Sequence, residues 1–170
     1  MKARTVEYSQ ITMTILMLPE HANARGNVHG GEIMKVMDNA AGVVAHRHAR
    51  SPVVTVRVDE LEFLYPIRIG NLLICHAKMT FVGRSSMEIF VEVSVEDLSV
   101  DEPPKTALTA YFTFVAIDEH GKPQPAPALE LVGETECRLH AEGEQRYLSY
   151  KERGKKKMVT EVPVCSVNAK

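Results

Sequence analysis

Residues 18–49 read LPEHANARGNVHGGEIMKVMDNAAGVVAHRHA, and this stretch decides the fold. It starts as a loop, passes through a glycine pair and continues as a long, mostly apolar segment with helical periodicity. We expect a helix that begins near His29 or Gly30 and ends near His48, because Pro52 disfavours helical geometry in the residue before it. The apolar positions are too many for one narrow stripe, which predicts a helix buried on most sides.

The other long patterned segments predict strands that surround this helix. In the strand near residues 53–64 the phase of the alternation changes at Asp59-Glu60, which indicates a bulge. One helix followed by four strands, with another strand before it, fits an antiparallel sheet curled around the helix, an α+β fold. The predicted strands cover residues 6–17, 53–64, 73–81, 87–96 and 106–117.

The remaining segments divide the chain into three parts. We expect one domain over residues 1–133, a charged helix at 134–157 and a mobile tail at 158–170. The edges of an open sheet are a liability unless another chain or element covers them, so at least a dimer is expected.

Composition excludes several classes of function. The 170 residues carry a formal net charge of −2 and include no Trp, so neither nucleic acid nor an acidic membrane surface is an expected partner. Cys75, Cys137 and Cys165 are an odd number at no metal or redox spacing, and we expect three reduced thiols and no bound metal. We see no signal peptide and no membrane-spanning run, which predicts a cytoplasmic protein.

Asp38 is the first candidate for chemistry. It lies beside a narrow polar stripe of the predicted helix, where an ordinary surface carboxylate is one interpretation. The other interpretation is a carboxylate that meets a cavity and acts as a general base or a nucleophile. The loop before the helix adds Asn23 and a glycine pair, and unpaired N–H groups at a helix start can hold a carbonyl oxygen as charge develops on it.

Three segments resemble one known family in both order and spacing. GNVHGGEIMKVMDNAAGVVAHRHA, RVDELEFLYPIRIGN and GRSSMEIFVEV are similar to the hotdog-fold acyl-CoA thioesterases, specifically the cytosolic acyl-CoA hydrolase group. The resemblance covers residues 8–153. It implies the hotdog fold, in which a sheet wraps a central helix, and hydrolysis of a fatty acyl-CoA to a fatty acid and coenzyme A. Coenzyme A is then part of substrate and product, and no separate cofactor is expected.

The resemblance also implies roles for individual residues. Asn23 and Asp38 match the family's two functional positions. Asp38 would act as base or nucleophile, while Asn23 and the Gly31 N–H would position water and polarise the thioester carbonyl. For binding substrate and coenzyme A we expect His29, Gly30, Arg57, Gly83, Arg84, Ser85 and Ser86, although residues 83–86 are as readily interpreted as a plain hairpin turn.

The same resemblance predicts the assembly. In two-domain animal relatives, one hotdog supplies the Asn and the other supplies the Asp, whereas this chain has a single hotdog with both. We therefore expect Asn23 of one subunit to face Asp38 of its neighbour in a homodimer. The implied final state is a hexamer, built as a trimer of dimers.

Two other functions fit parts of the pattern. One is a hotdog hydratase or dehydratase acting on acyl thioesters, but such enzymes usually use a His paired with Asp or Glu. The other is a non-catalytic protein that binds or senses acyl-CoA, and such a protein would need neither Asn23 nor Asp38.

Overall fold

Helix α2 (Gly30–Ala49) lies against one face of a five-stranded antiparallel sheet in the computed structural model, which describes residues 1–159 and side chains as far as Arg153. The strands are ordered β2-β4-β5-β6-β3 across this sheet. The other elements are β1 (Arg4–Thr5), α1 (Val6–Ser9), β2 (Ile11–Leu16), a 3-10 turn (Pro19–His21), β3 (Val53–Phe63), β4 (Leu72–Val82), β5 (Ser86–Glu96), β6 (Lys105–Ala116), β7 (Leu129–Glu130) and α3 (Glu134–Val159).

One side of α2 forms the centre of the core. Small side chains on this side, such as Ala40 and Ala41, are fully buried and let the helix approach the sheet closely. Met34 and Val43, at the two borders of the half of the helix turned away from the sheet, are 36% and 42% exposed. The expectation that α2 is buried on most sides is therefore wrong for a single chain, because five strands cover only part of its apolar surface.

Strand β3 forms one edge of the sheet and is irregular where the sequence predicted it. Its pairing with β6 shifts register between Thr55 and Arg57 and again between Asp59 and Glu62. Glu60 has a left-handed backbone with φ 52°, which is uncommon for a residue other than glycine. The predicted bulge near Asp59-Glu60 is confirmed.

The start of the chain differs from the prediction of a strand over residues 6–17. Val6 to Ser9 instead form one helical turn, and Thr5 caps it by accepting a hydrogen bond from the Tyr8 N–H. Strand β2 begins only at Ile11. A local cap thus outweighs the β propensity of this segment.

Helix α3 packs on the opposite face of the sheet from α2. The charged helix was predicted, but its contact with the sheet was not. Glu88, a carboxylate in strand β5, is only 5% exposed. Its carboxylate accepts two hydrogen bonds from Arg146 of α3, at 2.8 and 3.0 Å, and one from the Thr80 hydroxyl. Most of the predicted tail, including Cys165, lies beyond the described residues. Within residues 1–159 no helix is both long and apolar enough to cross a membrane.

His48 closes the far end of α2 and is completely buried. Its Nε2–H donates to the Pro127 carbonyl over 2.9 Å, and its Nδ1 has no hydrogen-bond partner among the described residues. Burial lowers the pKa of His48 below its ordinary value of 6.5, and the nearby Arg4 guanidinium acts in the same direction.

This burial predicts a pH-dependent stability. Below pH 6.5 the unfolded chain binds a proton at His48 that the folded chain resists, so the free energy of unfolding falls as the pH drops from 6.5 toward the lowered folded pKa. Urea midpoints measured from pH 7.5 to 5 are expected to fall less steeply for His48→Gln than for the native chain. The exposed neighbour variant His46→Gln is the control and should follow the native slope. Equal slopes for all three proteins would contradict the assignment.

Candidate active site

Asp38 and Thr55 join helix α2 to the edge strand β3. The Thr55 hydroxyl donates to Asp38 Oδ1 over 2.8 Å, and the Asp38 side chain is half-buried. One carboxylate oxygen is therefore fixed by a hydroxyl, and the other remains available to accept a proton. Sequence reasoning missed Thr55, since in an alternating strand it resembles any other polar residue.

A cleft of about 560 Å³ opens beside this pair, and we call it the carboxylate cleft. Gly42 lies in the wall of this cleft and has no side chain to fill it. An added Cβ would lie 3.6 Å from the Phe114 ring. Apolar and polar side chains share the lining, which consists of Asp38, Asn39, Gly42, Val43, His46, Arg47, Pro52, Val53, Thr55 and Phe114.

The start of α2 is capped by His29. Its Nδ1 accepts a hydrogen bond of 2.9 Å from the Gly31 N–H, so this N–H, predicted as a donor for substrate, already has an acceptor. His29 itself is exposed, and the hydrogen bond can exchange for one to a ligand without unfolding the helix. Gly30 lies under the Phe63 ring, which an added Cβ would approach to 3.3 Å.

Asn23 is held in a tight turn before the helix. Its Oδ1 accepts from the N–H groups of Arg25 and Asn27, at 2.8 and 3.3 Å, which leaves its NH₂ group as the donor. The turn borders a second cleft of about 400 Å³, which we call the helix-start cleft. It is lined by Asn23, Asn27, Val28, Gly30, Ile33, Phe63, Leu64, Tyr65, Pro66 and Ile67.

Asn23 and Asp38 lie in different clefts of one chain. Strand β3 borders both clefts, with Thr55 in the carboxylate cleft and Phe63 in the helix-start cleft. Eight residues separate these two strand positions, at most about 26 Å at the usual rise per residue and less across the two bulges. A single chain therefore does not bring the two predicted functional residues together.

Arg57, predicted as a contact for coenzyme A, faces the other side of the sheet. Its Nε is 2.5 Å from the Asp59 carboxylate, and its guanidinium lies 3.5 Å from the centre of the Tyr150 ring on α3. The Asp59 carboxylate and the Tyr150 ring, which hold Arg57, lie away from the two clefts.

The turn at residues 83–86 joins β4 to β5 at the end of the sheet. Gly83 N–H donates to the Ser86 carbonyl, and the Arg84 and Ser85 carbonyls accept from Ala126 and Ala116. The Arg84 side chain is exposed. Within one chain, none of the four residues lines either cleft.

The two thiols in the described part of the chain, Cys75 and Cys137, line neither cleft. Cys75 is fully buried in the core, and burial raises its pKa to about 12, which keeps it protonated and unreactive at neutral pH. Cys137 is an exposed free thiol on α3.

Comparison with known proteins shows the family of the chain. Residues 25–101 match the family model described as the thioesterase superfamily. The chain is 41% identical over 149 residues to the mouse cytosolic acyl coenzyme A thioester hydrolase, a match that covers 86% of this chain but 39% of that protein. It is 36% identical to an uncharacterized acyl-CoA thioester hydrolase of Bacillus subtilis, over 85% of this chain and 84% of that one.

Solved structures share the fold over nearly the whole chain. The acyl-CoA hydrolase of Staphylococcus aureus in complex with butyryl coenzyme A, coenzyme A and coenzyme A disulfide superposes with a TM-score of 0.83, at 29% identity, over 92% of this chain and 94% of that one. An apo hexameric acyl-CoA thioesterase gives 0.83 at 33% identity, over 95% and 100%. The predicted hotdog fold is confirmed.

Three variant structures of the staphylococcal enzyme bear on the site. Each replaces one residue with alanine: an asparagine, an aspartate or a threonine. Those three residues are spaced 15 and then 17 positions apart, as Asn23, Asp38 and Thr55 are in this chain.

Proposed function

The chain belongs to the acyl-CoA thioester hydrolases of the thioesterase superfamily, and we propose that it hydrolyses acyl-CoA to a free fatty acid and coenzyme A. The observation that carries the proposal is the Asp38–Thr55 hydrogen bond at the mouth of an open cleft. The three-residue spacing shared with the staphylococcal enzyme supports it. In this proposal the reaction uses water together with side chains and a backbone N–H group from two subunits.

In this proposal Asp38 supplies the base. It takes a proton from a water molecule as the water oxygen bonds to the thioester carbon, and the tetrahedral intermediate then collapses with cleavage of the C–S bond. The protonated Asp38 then gives its proton to the departing thiolate, which leaves as the thiol. A nucleophilic route differs in the attacking atom: an Asp38 oxygen bonds to the thioester carbon, the C–S bond breaks, and water then hydrolyses the mixed anhydride and supplies the proton for the thiolate. In both routes Thr55 orients the carboxylate.

Asn23 and the start of α2 would stabilise the carbonyl oxygen. The Asn23 NH₂ group is free to donate because its own oxygen is held by the backbone. The Gly31 N–H can join it when a thioester oxygen replaces His29 Nδ1 as the acceptor. A donor of this kind typically contributes about 3–4 kcal/mol to the transition state.

Pairing of two β3 edges would bring these groups together. The edge presents apolar side chains, with Val54 and Val56 41% and 54% exposed. Two copies of β3 that pair antiparallel about Asp59 would place Thr55 of each copy opposite Phe63 of the other. The carboxylate cleft of one subunit would then meet the helix-start cleft of its partner, which gives two equivalent sites per dimer.

The remaining assembly and coenzyme contacts follow the same proposal. One solved relative that is matched over its full length is hexameric, and we propose a trimer of dimers here. The exposed Arg84, with Ser85 and Ser86, would reach coenzyme A from a neighbouring subunit, since their own chain places them outside both clefts.

Removal of the Asp38 carboxylate tests the activity directly. Asp38→Asn is expected to lower kcat by about 10²–10⁴-fold, because the amide cannot accept the proton from water. Thiol release is measured across acyl-CoA esters from short to long chains, with circular dichroism to verify folding. Asp101→Asn, an exposed loop carboxylate, is the matched control and should retain native rates. If the native protein binds acyl-CoA but releases no thiol from any ester, it is a binding protein instead.

A mixture of two inactive variants tests the shared site. Asn23→Ala and Asp38→Ala, unfolded together and refolded at equal amounts, should recover about one quarter of native activity, since half of the dimers are mixed and each has one intact site. Each variant refolded alone is the control. If the mixture stays as inactive as its components, Asn23 and Asp38 act within one chain.

Gly42 offers a test of where the acyl chain lies. The carboxylate cleft runs along α2 from Asp38 to His46, about 12 Å of helix, and passes the Gly42 position. Gly42→Leu should block the cleft there, so that kcat/KM falls far more for long acyl chains than for short ones. Gly42→Ala adds one methyl at ordinary contact distance from Phe114 and should keep the native ratio. A parallel loss for all chain lengths would place the acyl chain elsewhere.

A further inference from the structure

A bulge in strand β3 places the side chains of Thr55 and Arg57 on opposite faces of the sheet. Thr55 pairs with Phe114 of β6, and Arg57 pairs with Thr113, so Val56 is the extra residue between them. In a regular strand, residues two apart share a face, and Thr55 and Arg57 would point the same way. The bulge turns Thr55 toward α2 and Arg57 toward α3.

Arg57 is anchored on the α3 side by three groups. Its Nε contacts the Asp59 carboxylate, its Nη2 donates to the Thr113 hydroxyl over 3.4 Å, and its guanidinium lies over the Tyr150 ring. The arginine is half-buried among them. A slip of one residue would remove it from Tyr150 and would also turn Thr55 away from Asp38.

Helix α3 is itself fixed to the sheet, so Tyr150 is a firm support. The buried Arg146–Glu88 pair holds the preceding turn of the helix, and the Arg146 guanidinium lies 3.9 Å from the centre of the Tyr111 ring. Gly143 allows the close approach, because an added Cβ would lie 2.7 Å from the Phe81 Cβ. Strand β3, in contrast, is hydrogen-bonded to a neighbouring strand on one side only.

We propose that Arg57, held against Tyr150, is a positioning residue that fixes the β3 bulge and thereby keeps the Thr55 hydroxyl on Asp38. Contact with α3 on one face of the sheet then sets the geometry of the candidate active site on the other. This inference rests on the proposed hydrolase activity. It assigns Arg57 a role through Thr55 and no contact with coenzyme A.

A double-mutant cycle on kcat tests the proposal. Arg57→Met and Thr55→Val are each expected to lower kcat about tenfold with KM little changed. Both variants lose the hydrogen bond from the Thr55 hydroxyl to the Asp38 carboxylate, Thr55→Val directly and Arg57→Met because the bulge is no longer fixed. The double variant should be no slower than Thr55→Val alone, because Arg57 acts through Thr55. Multiplicative losses overturn the proposal. A raised KM with native kcat also overturns it and indicates that Arg57 binds substrate.

Conservative variants of the support provide matched controls. Tyr150→Phe keeps the ring and should retain native kcat, whereas Tyr150→Leu should reproduce the loss seen in Arg57→Met. Arg153→Met removes the other guanidinium near this ring, 5.4 Å from its centre, without touching β3, and should behave as native. Equal kcat for the Phe and Leu variants would argue against the ring as the support.

Amide hydrogen exchange separates this inference from the hydrolase proposal. Exchange at the Thr55–Val58 amides should accelerate in Arg57→Met and stay native in Arg153→Met, whether or not the protein turns over any ester. Absence of thiol release from the native chain sinks the hydrolase proposal alone. Native exchange in Arg57→Met sinks the positioning role, whatever the activity.

Discussion

The five strands bury only one side of helix α2, and the candidate site depends on the part of the helix that the sheet leaves exposed. The side packed on the sheet is made of small and fully buried residues, including Ala40 and Ala45. The uncovered half of the helix is bordered by Met34 and Val43, and Asp38 lies between these borders, next to the edge strand β3. A functional carboxylate needs partial access to solvent and a fixed orientation. Asp38 has both, because it lies where the exposed part of α2 meets the edge strand β3. The same region leaves apolar surface exposed, which favours association with a second copy.

Much of the fold could be predicted because its signals are local. The bounds of α2 follow from a glycine pair and Pro52, and the β3 bulge follows from a change of phase in one strand. What failed has physical causes that lie outside local pattern. A threonine cap turned residues 6–9, predicted as strand, into a helix. The hydrogen bond from the Gly31 N–H to His29 Nδ1 was not predicted, because it depends on how the His29 side chain folds back. Asn23 and Asp38 border different clefts of one chain, which is compatible with the expectation that two subunits share each site.

Three residues of the sheet, Glu88, Thr55 and Arg57, show the same limit. Glu88 looks like an exposed carboxylate in an alternating strand, and only the Arg146 fork from a helix 58 positions away makes its burial tolerable. Such a pair requires both partners in one geometry, so it fixes where α3 sits more than how strongly it binds. Thr55 and Arg57 sit on opposite faces only because of the bulge between them. A bulge can be seen in sequence, but its two outward directions cannot.

The short parallel pairing of β1 with β7 bears on how the chain is made. Arg4 pairs with Leu129, about 125 residues later, and the same region of chain supplies the Pro127 carbonyl that His48 needs. At ordinary rates of synthesis this separation corresponds to roughly 6–25 seconds. During that interval the first residues have no strand to pair with, and the buried end of α2 lacks its cover. In the nascent protein the β1 segment therefore stays unpaired, and the end of α2 stays uncovered, until β7 emerges. This is the stage at which a chaperone would find these surfaces exposed.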